Sequence, residues 1–176
     1  MILQIAKMGH PVLQKRAEEV KNLADPAIQE FIENLVETFQ ASDGVGLAAP
    51  QVFESARIVV FHIPEELART RGVVDTVPLT VLINPVIEPL TEELVSAWEG
   101  CFSIPGMMGE VARPRAIRYS GTTPDGEYIV REAKDYHARV VQHECDHLDG
   151  ILYPQRMLNM QRFGFIEEVR EALVAS

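Results

Sequence analysis

The stretch QHECDHLDG, residues 142–150, decides how the rest of the chain is read. From about Asp135 the pattern turns helical and stays so until near Gly150, with Pro154 beyond as a stop. Residues advance by about 100° on an α-helix, so His143 and His147 lie about 40° apart, one turn along. Their Cβ atoms are then about 5–6 Å apart, and both imidazoles can reach one ion. Glu144 falls about 60° beyond His147, where it can reach a water on that ion without being forced to ligate it. That is the mechanical content of the His-Glu-x-x-His pattern. The plainer alternative is a chance match on a surface helix whose histidines are idle.

Working upstream, most of the chain reads as strand. RIVVFHI (57–63) is rich in β-branched residues and reads as a buried strand. TVLINPVIEPL (80–90) reads as a second, whose prolines imply an edge or an interruption. RAIRYSGTTPDGEYIVREA (115–133) reads as a hairpin turning at Pro-Asp-Gly. The clearest helix is DPAIQEFIENLVETFQ (25–40), with Asp25 as cap and Pro26 in the first turn. Its Ile28, Phe31, Ile32, Leu35, Val36 and Phe39 recur at helical spacing and form a core face. SDGVGLAAPQ (42–51) reads as a loop whose glycines allow close backbone approach, and MQRFGFIEEVREALV (160–174) as a C-terminal helix weakened by Gly164. Strands followed by the motif helix imply an α+β fold, with antiparallel or mixed sheets around a central metal-binding helix. No repeat or linker divides the chain, so residues 1–176 are expected to form a single catalytic domain.

Composition narrows the function. The net charge of −10, with no Lys/Arg-rich block, argues against a direct nucleic-acid site. The N-terminal MILQIAKMGHPVLQKR lacks the features of a signal peptide, and no run approaches the roughly 18 apolar residues of a membrane span. The two cysteines, Cys101 and Cys145, are then expected as reduced thiols or ligands, in a cytoplasmic protein without a membrane partner.

Two histidines leave a metal site short of a third protein ligand. A metzincin would need His at 153, where this chain has Tyr153. Glu167 and Glu168 lie at the distance a thermolysin-like site would use, although FIEEVREAL looks like an ordinary amphipathic helix. Cys145 points about 160° away from His147 and reads as core. Cys101, in WEGCFSIPG (98–106), offers a thiolate, a strong ligand for Zn²⁺ or Fe²⁺. Asp146 could orient a ligand or sit on the helix surface. His10, His62 and His137 have no partners at ligand spacing.

GVGLAAPQ (44–51), EGCFSIPG (99–106) and QHECDHLDG (142–150) resemble, in order and spacing, the three signature motifs of peptide deformylases. GHPVLQKRAEEV (9–20) and LINPVI (82–87) are also similar to that family, so the resemblance covers nearly the whole chain. It implies a metal-dependent hydrolase that removes the N-formyl group from formyl-methionine at the start of newly made polypeptides, close to the ribosome. It implies Cys101, His143 and His147 as ligands of one divalent ion, most often Fe²⁺, with Zn²⁺, Ni²⁺ or Co²⁺ possible. Metal-bound water or hydroxide would be the nucleophile and Glu144 the general base and acid. The side chain of Gln51 and the backbone N–H of Phe102 would steady the oxyanion.

By the same resemblance Val45, Glu99, Tyr136 and Val140 line the methionine pocket, and Gly46 and Val45 contact the substrate main chain. Tyr136, Val140, His143 and His147 also share one helical stripe. Arg139 beside it is expected at the pocket rim or on the substrate backbone. Phe102 stands where the family usually has leucine, and Met108 where many members carry arginine.

Overall fold

In the computed structural model, which describes residues 1–70 and 76–175, all pairings between the named strands are antiparallel. Helix α1 (Pro26–Gln40) begins as expected, with Asp25 Oδ1 accepting from the Ala27 N–H at 2.9 Å. Strand β1 (Gly46–Ala48) follows and pairs with β2 (Ile58–Ile63), so part of the expected loop 42–51 is an edge strand running into a 3₁₀ turn. A short helix α2 (Glu65–Thr70) separates β2 from β3 (Val77–Pro89).

The unbroken apolar run of β2 now has a physical reason. Its side chains alternate between two cores, because the sheet is covered on both faces. Ile58 and Val60 pack with Ile32, Leu35 and Phe39 of α1. Val59, Phe61 and Ile63 pack with Val140, Val141 and Leu148 of helix α3 (Asp135–Leu148).

Strand β3 is not an edge, but it carries the interruption its prolines implied. It lies in the middle of a five-stranded sheet of order β1-β2-β3-β6-β7, where β6 (Ala116–Thr122) and β7 (Tyr128–Lys134) are the expected hairpin. The chain tolerates Pro85 there because its register on β6 shifts between Ile83 and Val86, and a bulge needs no ladder hydrogen bond from proline. Asn84 (φ 50°) forms that bulge, and its side-chain amide bonds both the N–H and the C=O of Val20 at 2.9 Å.

A second sheet, of order β4-β5-β8, accords with the expected plural sheets, although its strands were not read one by one from the sequence. Its strands are β4 (Leu94–Cys101), β5 (Ile104–Pro114) and the short β8 (Phe163–Phe165). Residues 160–165 therefore form a 3₁₀ turn and a strand, and the last helix, α4 (Ile166–Ala175), starts later than its apolar pattern suggested.

Helix α3 packs against strands of both sheets. Eleven of its fourteen residues are buried, including Arg139, Gln142, Glu144, Asp146 and His147. A helix so polar and so enclosed must find a partner for nearly every polar group. Just past its end lies Gly150, whose φ is 72° and where a Cβ would come within 2.7 Å of the Gln14 backbone. Only glycine meets both demands.

Candidate metal centre

The last residue of β4 and one face of α3 bring Cys101, His143 and His147 together, with one donor atom from each lying within 4.8 Å of the others. Cys101 Sγ is 3.3 Å from His147 Nε2. His143 is oriented through Nδ1, 2.8 Å from Glu99 Oε2, which leaves its Nε2 for an ion. Among the described residues, the buried side-chain polar atoms without a hydrogen-bond partner are His147 Nδ1, Glu144 Oε2 and the Tyr153 hydroxyl. Two of these belong to the His-Glu-x-x-His segment, and the Tyr153 ring stacks on His143 at 6.1 Å. A thiolate with two imidazoles suits Zn²⁺ or Fe²⁺, so the residues present fit a metal ion.

The electrostatics of the cluster are divided. Burial disfavours a charged imidazole at His143, but Cys101 and Glu99 outweigh it and hold its pKa well above the usual range. At His147 burial, reinforced by His143 and Arg113, pushes the pKa well down. Burial also raises the Glu144 carboxyl to about 7. A carboxyl poised there can both accept and return a proton near neutral pH.

The carboxylate of Glu99, a residue expected to line the methionine pocket, is held by buried ionic contacts. Arg113 grips it with two bonds, Nε to Oε1 at 2.6 Å and Nη2 to Oε2 at 2.9 Å. Arg139 Nη1 adds a third at 2.6 Å. Arg139 lines a cleft beside Tyr136, but its side chain is buried and also donates to the carbonyls of Val111 and Val95. Asp146 joins the network through Arg113 and Arg156, so it orients the centre at one remove. Sequence reading missed Arg113. The signal was its parity with Val111 in β5, a charge on the inward face of a strand.

Gln51 is almost wholly buried, with Oε1 accepting from the Ala48 N–H at 2.9 Å. Its Nε2 is 3.3 Å from both Cys101 Sγ and Ser103 Oγ. At Gly46 a Cβ would lie 2.3 Å from Glu144 Oε1, so the missing side chain is the space the carboxylate occupies. The Phe102 ring fills the corresponding space at Gly44, and the Phe102 carbonyl accepts from Lys7 Nζ at 2.9 Å.

Val45 and Tyr136 pack against the core cluster that holds Val140, so these three expected pocket residues share one neighbourhood. Cys145 sits in that same core, away from the centre, and both cysteines are free thiols. Glu167 and Glu168 are exposed on α4 and belong to no metal-holding group among the described residues. Met108 lies in β5 opposite Gly164.

The sequence model of the family described as Polypeptide deformylase matches residues 2–163. The chain belongs to the polypeptide deformylase family. It is 47% identical to Peptide deformylase 1 of Bordetella pertussis over 167 residues, covering 95% of this chain and 94% of that one. Peptide deformylase 1 of Nitrosomonas europaea is 44% identical with the same coverage. The crystal structure of peptide deformylase from Thermotoga maritima superposes with a TM-score of 0.79 at 36% identity, over 90% of this chain and 99% of that one. As a member of this metal-dependent family, the protein removes the formyl group from newly made polypeptides. The expected α+β fold is the deformylase fold.

Proposed function

We propose that Cys101, His143 and His147 hold one divalent ion, Fe²⁺ in the cell, with Zn²⁺, Ni²⁺ or Co²⁺ able to replace it. The observation that carries this reading is the convergence of three donor atoms within 4.8 Å beside the buried Glu144, whose Oε2 has no hydrogen-bond partner among the described residues. When bound, the ion supplies acidification of water and polarisation of the formyl oxygen. Glu144 takes the proton of the attacking water on its carboxylate. It returns that proton to the methionine nitrogen as the C–N bond breaks, so formate and a free amine leave.

Gln51 Nε2 and the Phe102 N–H donate to the oxyanion. The bond from Ala48 to Gln51 Oε1 holds the amide ready, with no reorganisation left for the reaction itself. Glu99 is a positioning residue, fixing the His143 tautomer through Nδ1. The substrate main chain runs beside Val45 and Gly46, and the methionine side chain lies against Val45, Tyr136 and Val140. Residues 1–176 act as one catalytic domain in the cytoplasm, on chains emerging from the ribosome. Among the described residues, no helix is long and apolar enough to cross a membrane.

The test is formate release from a short formyl-Met peptide, with protein purified without oxygen or loaded with Ni²⁺. Cys101→Ser should lose metal and activity together. Glu144→Gln should keep its metal and lose about 10²–10⁴ in rate, while Glu167→Gln should match wild type. An active, metal-replete Cys101→Ser, or an undiminished Glu144→Gln, would overturn these assignments.

A further inference from the structure

Given that Gln51 Nε2 and the Phe102 N–H donate to the oxyanion, as proposed above, we infer that residues 6–8 form a strap that holds both donors in place, with Lys7 as its positioning residue. Consecutive residues of the strap reach the backbone of both donor segments. The Ala6 N–H donates to the Gln51 carbonyl and the Met8 N–H to the Ser103 carbonyl, each at 2.8 Å. Between them Lys7 Nζ donates to the Phe102 carbonyl at 2.9 Å. Ala6 seats the strap, being wholly buried in the core cluster that holds Leu13 and Ile104.

Phe102 depends on such ties because of where it sits. Cys101 ends β4 and pairs with Ile104 at the start of β5, so Phe102 and Ser103 are the two-residue loop of a hairpin. Loops of that length favour turns with a positive φ at one or both positions, whose twist matches that of the strands. Neither Phe102 nor Ser103 has a positive φ. Bonds from outside the hairpin therefore decide where its amides point. Lys7 and Met8 supply one for each loop carbonyl, and the Phe102 ring is seated where a Cβ at Gly44 would be. The ammonium gives a charge-assisted bond, roughly twice as strong as a neutral one.

The Gln51 end is held by the same strap. Its backbone carbonyl takes the Ala6 N–H, and its Oε1 takes the Ala48 N–H. Its Nε2 lies 3.3 Å from Ser103 Oγ, against about 2.9–3.0 Å for an ordinary N–H···O bond, so the amide can exchange that partner for a charged oxygen. The bonds close a circuit from Ala6 to Gln51, across to Ser103 and back to Met8. A shift of the Phe102–Ser103 loop then changes the spacing of the two donors. Lys7 ties the loop through its side chain, so its bond can be removed without altering the backbone.

Steady-state formate release by Ni²⁺-loaded protein tests the strap. Lys7→Met keeps an aliphatic stem and removes the ammonium. Its kcat should fall about tenfold with KM unchanged, short of the about 10²–10³ lost with a whole donor. Lys7→Arg restores a cationic donor and should recover most of the rate, while Lys21→Met, another exposed lysine, should match wild type. Metal content and Tm should hold in all three. In zinc-loaded protein followed by NMR, exchange of the Phe102 N–H should quicken in Lys7→Met and not in Lys7→Arg. A kcat equal to wild type in Lys7→Met would overturn the proposal. So would a raised KM at constant kcat, which would make Lys7 a substrate contact, or a loss that Lys7→Arg shares in full. Gln51→Ala, checked for bound metal, separates the two readings. If it loses about 10²–10³ in kcat while Lys7→Met loses nothing, the strap alone fails. If Gln51→Ala keeps its full kcat, the oxyanion assignment fails and the strap with it.

Discussion

Replacing Glu99 by glutamine swaps an anion for a neutral amide of the same size at the busiest point of the buried network. The wild-type carboxylate accepts from Arg113 at 2.6 and 2.9 Å, from Arg139 at 2.6 Å and from His143 Nδ1 at 2.8 Å. The amide keeps one acceptor oxygen and turns an N–H₂ group toward guanidinium or imidazole donors. Two buried cations then share fewer acceptors, and removing one partner of such a pair typically costs about 3–5 kcal/mol. For a chain of this size each kcal/mol moves Tm by about 2–4 °C, so the metal-free variant should melt roughly 6–20 °C lower. His143 would also lose its anionic partner, and losses of that kind weaken metal binding by about 10–100-fold. Calorimetry of the metal-free protein reads the first effect, and competition with a chelator on the loaded protein reads the second. A variant whose Tm and metal affinity both match wild type would refute the idea that Glu99 orients the ligand.

Three further outcomes follow from the same geometry. Gly46→Ala should lower kcat sharply while metal content holds, because its Cβ would intrude 2.3 Å from Glu144 Oε1; full activity would mean the carboxylate works from elsewhere. A thiol reagent should label neither cysteine of the metal-loaded protein and only Cys101 after chelation, since burial pushes the Cys145 thiol far above its usual range. Mass spectrometry of the labelled peptides decides this, and labelling of native Cys145 would contradict its core placement. The third concerns acid. Burial alone raises the Glu99 pKa, but Arg113 and His143 outweigh it and hold the carboxyl well below its ordinary 4.5. A depressed folded-state pKa gives stability that is complete above the unfolded value and drains away as pH falls toward the folded one. The metal-free wild type should therefore lose Tm steadily below about pH 4.5, and Glu99→Gln should show a shallower slope; parallel slopes would count against it.

By itself, the sequence determined the features that depend on local periodicity and local chemistry. Helix spacing put His143, Glu144 and His147 on one stripe, and the cap at Asp25 with its apolar face specified α1. The β-branched run of β2 and the Pro-Asp-Gly hairpin were legible for the same reason. What the tertiary structure decided were relations between distant segments. From sequence alone Glu167 rivalled Cys101 as third ligand until the family motifs were set beside it. Folding brings Cys101 beside the two histidines, because β4 ends against α3, while Glu167 stays exposed on α4. Prolines marked β3 as marginal, yet a bulge at Asn84 and Pro85 let it stand in the centre of the sheet. The arginines were the least legible. Arg139 reads from the sequence as a pocket-rim or substrate-backbone contact and Arg113 goes unread; a second sheet closes over the helix, and burial then obliges each to find a carboxylate. Periodicity reports which way a side chain points along its own element. Only the packing of elements reports what it meets there, and at this centre those meetings set the charge, the tautomer and the space for the reacting groups.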